Sequence, residues 1–399
     1  MNEHVASRNV TQMTMTKSRP IYLDHHASTP VDPRVLQVAI EMMVEDFGNA
    51  NGVENIHGER AALAVFHAKE LVASVLSAEP DDVHFTSGST EAIQLAVGHA
   101  IATHPGPLRV AMSRVEHKAV IDTVLRAERM GMVESSWIDV DDKARLDWSS
   151  LERVLSQGVD LVCVMAANNE VGTTYPVQRI TSACHALGAA VLVDATQAVG
   201  RMAFEFGDEV PDYVALSGHK VYGPKGIGAL LASEFDRSVA FGLQGAHSPT
   251  PNVSGAVAMG RACEIMELEG AQERARLERL RDHLQERLLA LVPGLVVNGD
   301  LANRLPHNLH VSIPGAPNDV VLARLRGKVS ISTGSACNTG AQEPSHVLRA
   351  MGLPDAQLES CLRIGLGRNN DIDDVETAAT LIANAASDVR ASFSGADHV

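Results

Sequence analysis

From Tyr22 onward the chain alternates two hydrophobic patterns. Short, largely apolar runs occur at Val83–Thr86, Val110–Ser113, Leu161–Ala166, Ala190–Val193 and Tyr213–Leu216, the last three without interruption. Such runs predict parallel strands covered on both faces, where no position needs to face water. Between them, apolar residues recur every three or four positions, the spacing of one helix face. Val35, Val38, Ala39, Met42 and Met43 do so within Arg34–Asp46, behind an Asp32-Pro33 start and ahead of Gly48. Further helices are predicted at Glu59–Ser77, Ala92–Ala102, Lys118–Met130 and Val177–Leu187. Strand and helix in alternation predict an α/β fold with a mostly parallel, doubly wound sheet.

After Leu230 the pattern changes. A Gly- and Pro-containing loop, Phe241–Ser254, leads to a long helix at Gly255–Leu291 whose exposed face is crowded with Glu and Arg. Short strands then follow at Leu295–Asn298, Leu309–Ser312 and Val329–Ser332, with a helix at Asp319–Leu325. This shift predicts a disordered leader over 1–20, a large domain over 21–275 and a smaller α+β domain over 276–399. The extended piece 21–34 is expected to pack with the small domain.

Composition narrows the function classes. The chain has 399 residues, of which 45% are hydrophobic and 21% charged, enough for two substantial cores. A formal net charge of -16 repels nucleic acid and anionic membranes. No apolar run is long enough to predict a transmembrane helix. Five cysteines, Cys163, Cys184, Cys263, Cys337 and Cys361, are scattered without C-x-x-C spacing, so neither a disulfide framework nor a zinc site is expected. A reducing cytoplasm suits them, and the polar leader has no secretory apolar segment.

The candidate chemistry gathers at strand ends, where open α/β sheets place ligands. Lys220 follows the Tyr213–Leu216 run in S-G-H-K, and burial there would favour the neutral amine that an aldehyde cofactor needs. Taken alone it reads equally as a solvated loop lysine. Asp194 ends the preceding strand and could hold a protonated pyridine nitrogen; Asp and Lys at successive strand ends together point to pyridoxal 5'-phosphate (PLP). Ser217 and His219 could meet its phosphate, as could the turn Thr86-Ser87-Gly88-Ser89-Thr90-Glu91, although Ser and Thr there are also ordinary helix caps. His117 could cover the ring and move protons or be structural. Asn168 and Asn169 place amides at another strand end. Cys337, among Gly and small polar residues, is either a nucleophile or a plain loop cysteine. Arg363 lies in an apolar strand, where a bidentate carboxylate would offset its burial.

The motifs Y-L-D-H-H-A-S-T-P, T-S-G-S-T-E, E-H-K-A-V, N-N-E-V-G, V-D-A-T-Q, S-G-H-K-V-Y-G-P-K-G, G-S-A-C and L-R-I-G-L-G-R, in this order between Tyr22 and Asn369, carry a resemblance. The chain resembles cysteine desulfurases of the NifS/IscS type, class V aminotransferases of PLP fold type I. The resemblance implies that Lys220 bonds the cofactor, Asp194 meets its pyridine nitrogen, Gln197 its phenolic oxygen, and His117 stacks on the ring. Ser89, Thr90, Ser217 and His219 would hold the phosphate, with Thr250 reaching across a homodimer. Asn169 and Arg363 would take the carboxylate of L-cysteine, and Cys337 would accept its sulfur as a persulfide for delivery to an acceptor protein, an iron–sulfur scaffold or a thiolation protein. A selenocysteine lyase, another class V enzyme or a non-catalytic sulfur-relay scaffold are the alternative readings. Two segments depart from the family: Gly245-Ala246-His247-Ser248-Pro249-Thr250 is short, which bears on the Thr250 contact, and Asn51–Gly58 replaces an element with a family histidine.

Overall fold

The computed structural model describes residues 19–202, 209–233, 235–240, 250–334 and 344–394. Among them, twelve strands occur in chain order: β1 (Ile21–Tyr22), β2 (Val83–Thr86), β3 (Leu108–Ser113), β4 (Val133–Ile138), β5 (Leu161–Met165), β6 (Ala190–Asp194), β7 (Tyr213–Ser217), β8 (Gly228–Leu231), β9 (Val296–Val297), β10 (Asn308–Ser312), β11 (Val329–Ser330) and β12 (Cys361–Gly365). Seven form a sheet in the order β2-β8-β7-β6-β5-β3-β4. The pairs from β7 through β4 are parallel, and β8 runs antiparallel to both of its neighbours. The α/β expectation with a mostly parallel sheet therefore holds.

Side-chain alternation shows why these strands read as unbroken apolar runs. Val162, Val164, Val191, Val193, Val214 and Leu216 belong to one apolar core, whereas Leu161, Cys163, Leu192 and Ala215 belong to another on the opposite face. Both faces are covered by helices, so both sets must be apolar. A third core unites Leu23, Leu277, Leu284, Leu309, Val311, Leu362 and Ile364, around the antiparallel sheet β12-β10-β9. The helix Val253–Leu291 serves two cores: Ala258, Met259, Ala262 and Cys263 pack in the first, and Leu277, Leu280, Leu284 and Leu288 in the third. The extended N-terminal piece joins the third core through Leu23 and pairs β1 with β11 in parallel.

Three local differences from the sequence reading have physical causes. The helix expected at Ala92 begins at Ser89, so Ser89 and Thr90 lie in its first turn. The helix expected at Glu59 begins at Ile56, because the Asn55 side chain accepts the Gly58 N–H at 3.1 Å and caps it. The Gly- and Pro-rich run after Lys220, read as irregular, ends in β8; Gly228 starts that strand because its backbone lies against Gly88, where a Cβ would come within 2.6 Å of the Gly88 Cα.

Candidate active site

The parallel strands β5, β6 and β7 deliver their carboxyl ends to one edge of the sheet. β6 ends on Asp194, and β7 ends on Ser217, followed by a single 3-10 turn, Gly218–Lys220. Lys220 Nζ donates to the backbone oxygens of His26 and, at 2.9 Å, Ala27. Burial lowers its pKa from 10.5 to about 8, with Arg363 pushing the same way and Asp24 and Asp194 opposing. Asp194 is buried, and its Oδ1 accepts the Thr196 N–H at 3.0 Å, which fixes the carboxylate at the strand end.

His117 caps the helix Lys118–Arg129, its Nδ1 accepting the Ala119 N–H at 3.1 Å. In the neutral ring the proton therefore sits on Nε2. Its ring is open on one side, yet burial lowers its pKa; Lys220 and His346 add to that, while Asp194 and Glu170 oppose it. Gln197, on the turn beyond Asp194, is buried and bonded twice to His26: Nε2 donates to the His26 backbone oxygen at 3.0 Å, and Oε1 lies 3.2 Å from His26 Nδ1.

A second corner forms where three strands meet. Thr86 pairs with Gly228 and Gly228 with Ser217, so the turn entering the helix Ser89–Thr103 lies beside the end of β7. The first turn of that helix carries N–H groups without intrahelical acceptors, the ordinary anion-binding end of a helix. Ser217 is buried there. His219 Nδ1 lies 3.4 Å from Ser28 Oγ, and burial lowers its pKa to about 4, helped by Lys220 and Lys225.

The third corner comes from the opposite end of the chain. Arg363, in β12, is 6% exposed; its Nη2 donates to Asp24 Oδ1 and its Nη1 to the backbone oxygen of Asn169, at 2.9 and 3.1 Å. The sequence reading left this guanidinium waiting for a substrate carboxylate, but Asp24 already supplies one oxygen. Nε remains buried and unpartnered among the described residues. Of the two strand-end amides, Asn168 is structural: it is fully buried, and its Oδ1 takes the N–H groups of Glu170 and Val171 at 2.9 Å. Asn169 is half-buried, and it is its backbone oxygen that meets Arg363.

Thr250 is exposed two residues before the Asn252 cap of the long helix. Cys337 and residues 245–249 lie outside the described residues. Sequence reasoning passed over Asp24 and His26, quoted only as part of an extended lead. The missed signal was Gly365 and Gly367 in L-R-I-G-L-G-R: a Cβ on Gly365 would stand 2.5 Å from His26 Cδ2, and one on Gly367 would strike the His25 ring. These glycines are the imprint of the histidines that the N-terminal piece lays against β12.

A lysine amine, an acid at the neighbouring strand end and a helix N-terminus are thus set along one edge of the parallel sheet. Residues 21–377 match the family described as Aminotransferase class-V. The chain belongs to that family. Among class V relatives, it is 38% identical over 371 residues to the cysteine desulfurase IscS of Anaeromyxobacter sp. (strain Fw109-5), covering 91% of each chain. It is 39% identical over 398 residues to the cysteine desulfurase of Frankia sp. (strain EuIK1), covering 93% of this chain and 92% of that one. A solved NifS-like protein superimposes with a TM-score of 0.82 at 31% identity, over 93% of this chain and all of that one. No described helix is long and apolar enough to cross a membrane.

Proposed function

We propose that this class V protein is a PLP-dependent cysteine desulfurase, releasing L-alanine from L-cysteine and holding the sulfur on Cys337 as a persulfide. The observation that carries the reading is Lys220: a half-buried lysine held by two carbonyl oxygens, its pKa lowered to about 8, beyond the strand end next to Asp194. The donor set fits the cofactor. Lys220 would supply the amine that bonds its aldehyde, Asp194 the carboxylate for its ring nitrogen, and Gln197 an N–H for its phenolic oxygen. Ser89, Thr90, Ser217 and His219 would meet its phosphate.

Bound there, PLP supplies an electron sink for charge developing at the substrate Cα. The chain's own groups do the rest. Arg363, fixed by Asp24, would pair with the substrate carboxylate beside Asn169, setting the orientation of Cα. Lys220, its pKa lowered to about 8, would hold or release a proton near neutral pH, and His117, kept neutral by burial, could take one up. The Cys337 thiolate would attack the substrate sulfur; the sulfur–carbon bond breaks, its electrons go to the alanine carbon, and a proton replaces sulfur there.

The other cysteines support Cys337 as acceptor. Cys163, Cys184, Cys263 and Cys361 are all buried, and burial raises each thiol, Cys184 and Cys263 to about 12 and Cys361 to about 11. A thiolate is therefore costly at all four. Cys337→Ser should keep the visible spectral change on mixing with L-cysteine yet stop alanine release and persulfide formation. Alanine and sulfide at near wild-type rate would overturn the assignment, and a faster reaction with selenocysteine would turn the reading toward a lyase.

A homodimer belongs to the same reading. Leu36, Ile40, Met43 and Val44 of the helix Pro33–Val44, Phe47 after it, and Ile56, Leu63 and Phe66 of the next helix are all exposed, at helical spacing along each. A monomer rarely leaves so large an apolar face to water. A second copy would cover it and bring its own Thr250 toward the phosphate corner. Light scattering should give twice 42.5 kDa, and a single-chain mass would remove this part of the reading. A cytoplasmic protein that passes sulfur to an acceptor protein completes the proposal.

A further inference from the structure

His26 sits behind Gln197 in a chain of hydrogen bonds whose direction is set from its far end. Asn308, in β10, has its Nδ2 2.9 Å from the backbone oxygen of Glu170 and 3.1 Å from His26 Nε2. A carbonyl oxygen only accepts, so the Asn308 atom facing it is the amide nitrogen, and its second N–H points at the imidazole. His26 Nε2 must then accept. The ring is 1% exposed and tilted against His307 with centroids 4.3 Å apart; burial, helped by the cations Arg363, Lys220 and Arg201, keeps it neutral, with its proton on Nδ1. That proton goes to Gln197 Oε1. The Gln197 amide is thereby turned with Nε2 toward the His26 backbone oxygen, the same oxygen that accepts from Lys220.

Packing holds the relay in register. Gly172 has φ +78°, and a Cβ there would strike the Asn308 side chain; Gly365 leaves room for the His26 ring. One Gln197 N–H is left without a partner among the described residues. We infer that His26 is a positioning residue that, set by Asn308, locks Gln197 as a hydrogen-bond donor toward an anionic ligand oxygen beside Lys220. This rests on the proposal that Gln197 meets the phenolic oxygen of PLP. A turned amide would present its own oxygen and repel that anion; the ring N–H, acting with the His26 backbone oxygen, disfavours that orientation.

The test uses the PLP-loaded protein and the pH midpoint of its visible absorption band. A donor aimed at an anionic oxygen lowers that oxygen's proton affinity. Gln197→Ala should therefore move the midpoint upward by about one pH unit, the shift equivalent to one lost hydrogen bond to a charged group. His26→Phe, which keeps a flat ring for His307 but removes both nitrogens, should move it in the same direction by about half that or more. The double variant should move no further than Gln197→Ala alone, because both changes remove one interaction. A shift for Gln197→Ala with none for His26→Phe would overturn the role of His26 and leave the cofactor reading standing. No shift for Gln197→Ala would overturn the cofactor contact itself. Independently of that titration and of how the ring variant folds, nitrogen NMR of 15N-histidine wild-type protein should find His26 neutral with its proton on Nδ1. Its signal is assigned by its loss in His26→Asn. A proton on Nε2, or a charged ring, would sink the inference.

Discussion

Lys220, on the turn after β7, and Arg363, in β12, bring two cations to one site from opposite parts of the fold. The sheet half holds its cation with dipoles: among the described residues, Lys220 donates to the carbonyl oxygens of His26 and Ala27. The small-sheet half holds its cation with a charge, the Asp24 carboxylate, and one carbonyl from Asn169. Carbonyls orient an ammonium without matching its charge, so desolvation prevails and the lysine can lose its proton near neutral pH. An arginine cannot use that freedom, and its carboxylate neighbour instead fixes the plane in which a second carboxylate would be met. On the proposed reading, the difference teaches that one half of the site would make bonds and the other would place the substrate.

The largest break in that comparison is Lys220→Ala. Removing the amine proposed to bond the cofactor should leave PLP weakly held, and alanine production should fall by ~10⁴ or more, the scale seen when a covalent catalytic group is lost. Absorbance of the purified protein and an alanine assay check it, and borohydride reduction of the wild type should fix the cofactor on the Lys220 peptide. Label on Lys225 would refute the assignment. Arg363→Ala comes next. It should lower kcat/KM for cysteine by the equivalent of roughly 2–5 kcal/mol, mainly through KM, as truncating a buried charge partner does. Unchanged steady-state kinetics would reduce Arg363 to a residue that ties the N-terminal piece to β12.

The smallest effect sharpens the lysine side. With a pKa of about 8, Lys220 is mostly charged at pH 7 and mostly free amine at pH 9. The rate at which cofactor-free protein takes up PLP should therefore rise about tenfold between those values and level off above them. The sign follows from the amine being the reactive form. Stopped-flow absorbance would measure it; a rise that continues unbroken toward pH 10.5 would mean that burial has not lowered this lysine.

The sheet half was legible in the sequence because its information is local. Asp194 directly follows an unbroken apolar run and Lys220 stands one short turn beyond another, and a strand buried on both faces can leave its carboxyl end only at the ligand edge. The small-sheet half was legible only as a lone buried arginine. Asp24 is 339 positions from Arg363, and no periodicity links them. The bounds of the short elements were also loose, since Asn55 caps its helix through a side chain and Gly228 starts a strand through a backbone approach.

By itself, the chain determined which residues end its parallel strands, which helices wrap them and, through its ordered motifs, the chemistry to expect at that edge. Tertiary structure alone decided what those residues do to one another. It laid the N-terminal piece along β12, put the His26 carbonyl under Lys220 and the Asp24 carboxylate against Arg363, and let Asn308 choose the tautomer of His26. The physical reason is range. Hydrophobic periodicity acts over a few residues, whereas desolvation, ion pairing and hydrogen-bond direction depend on whatever the fold brings within about 3 Å, however far apart it lies in the sequence.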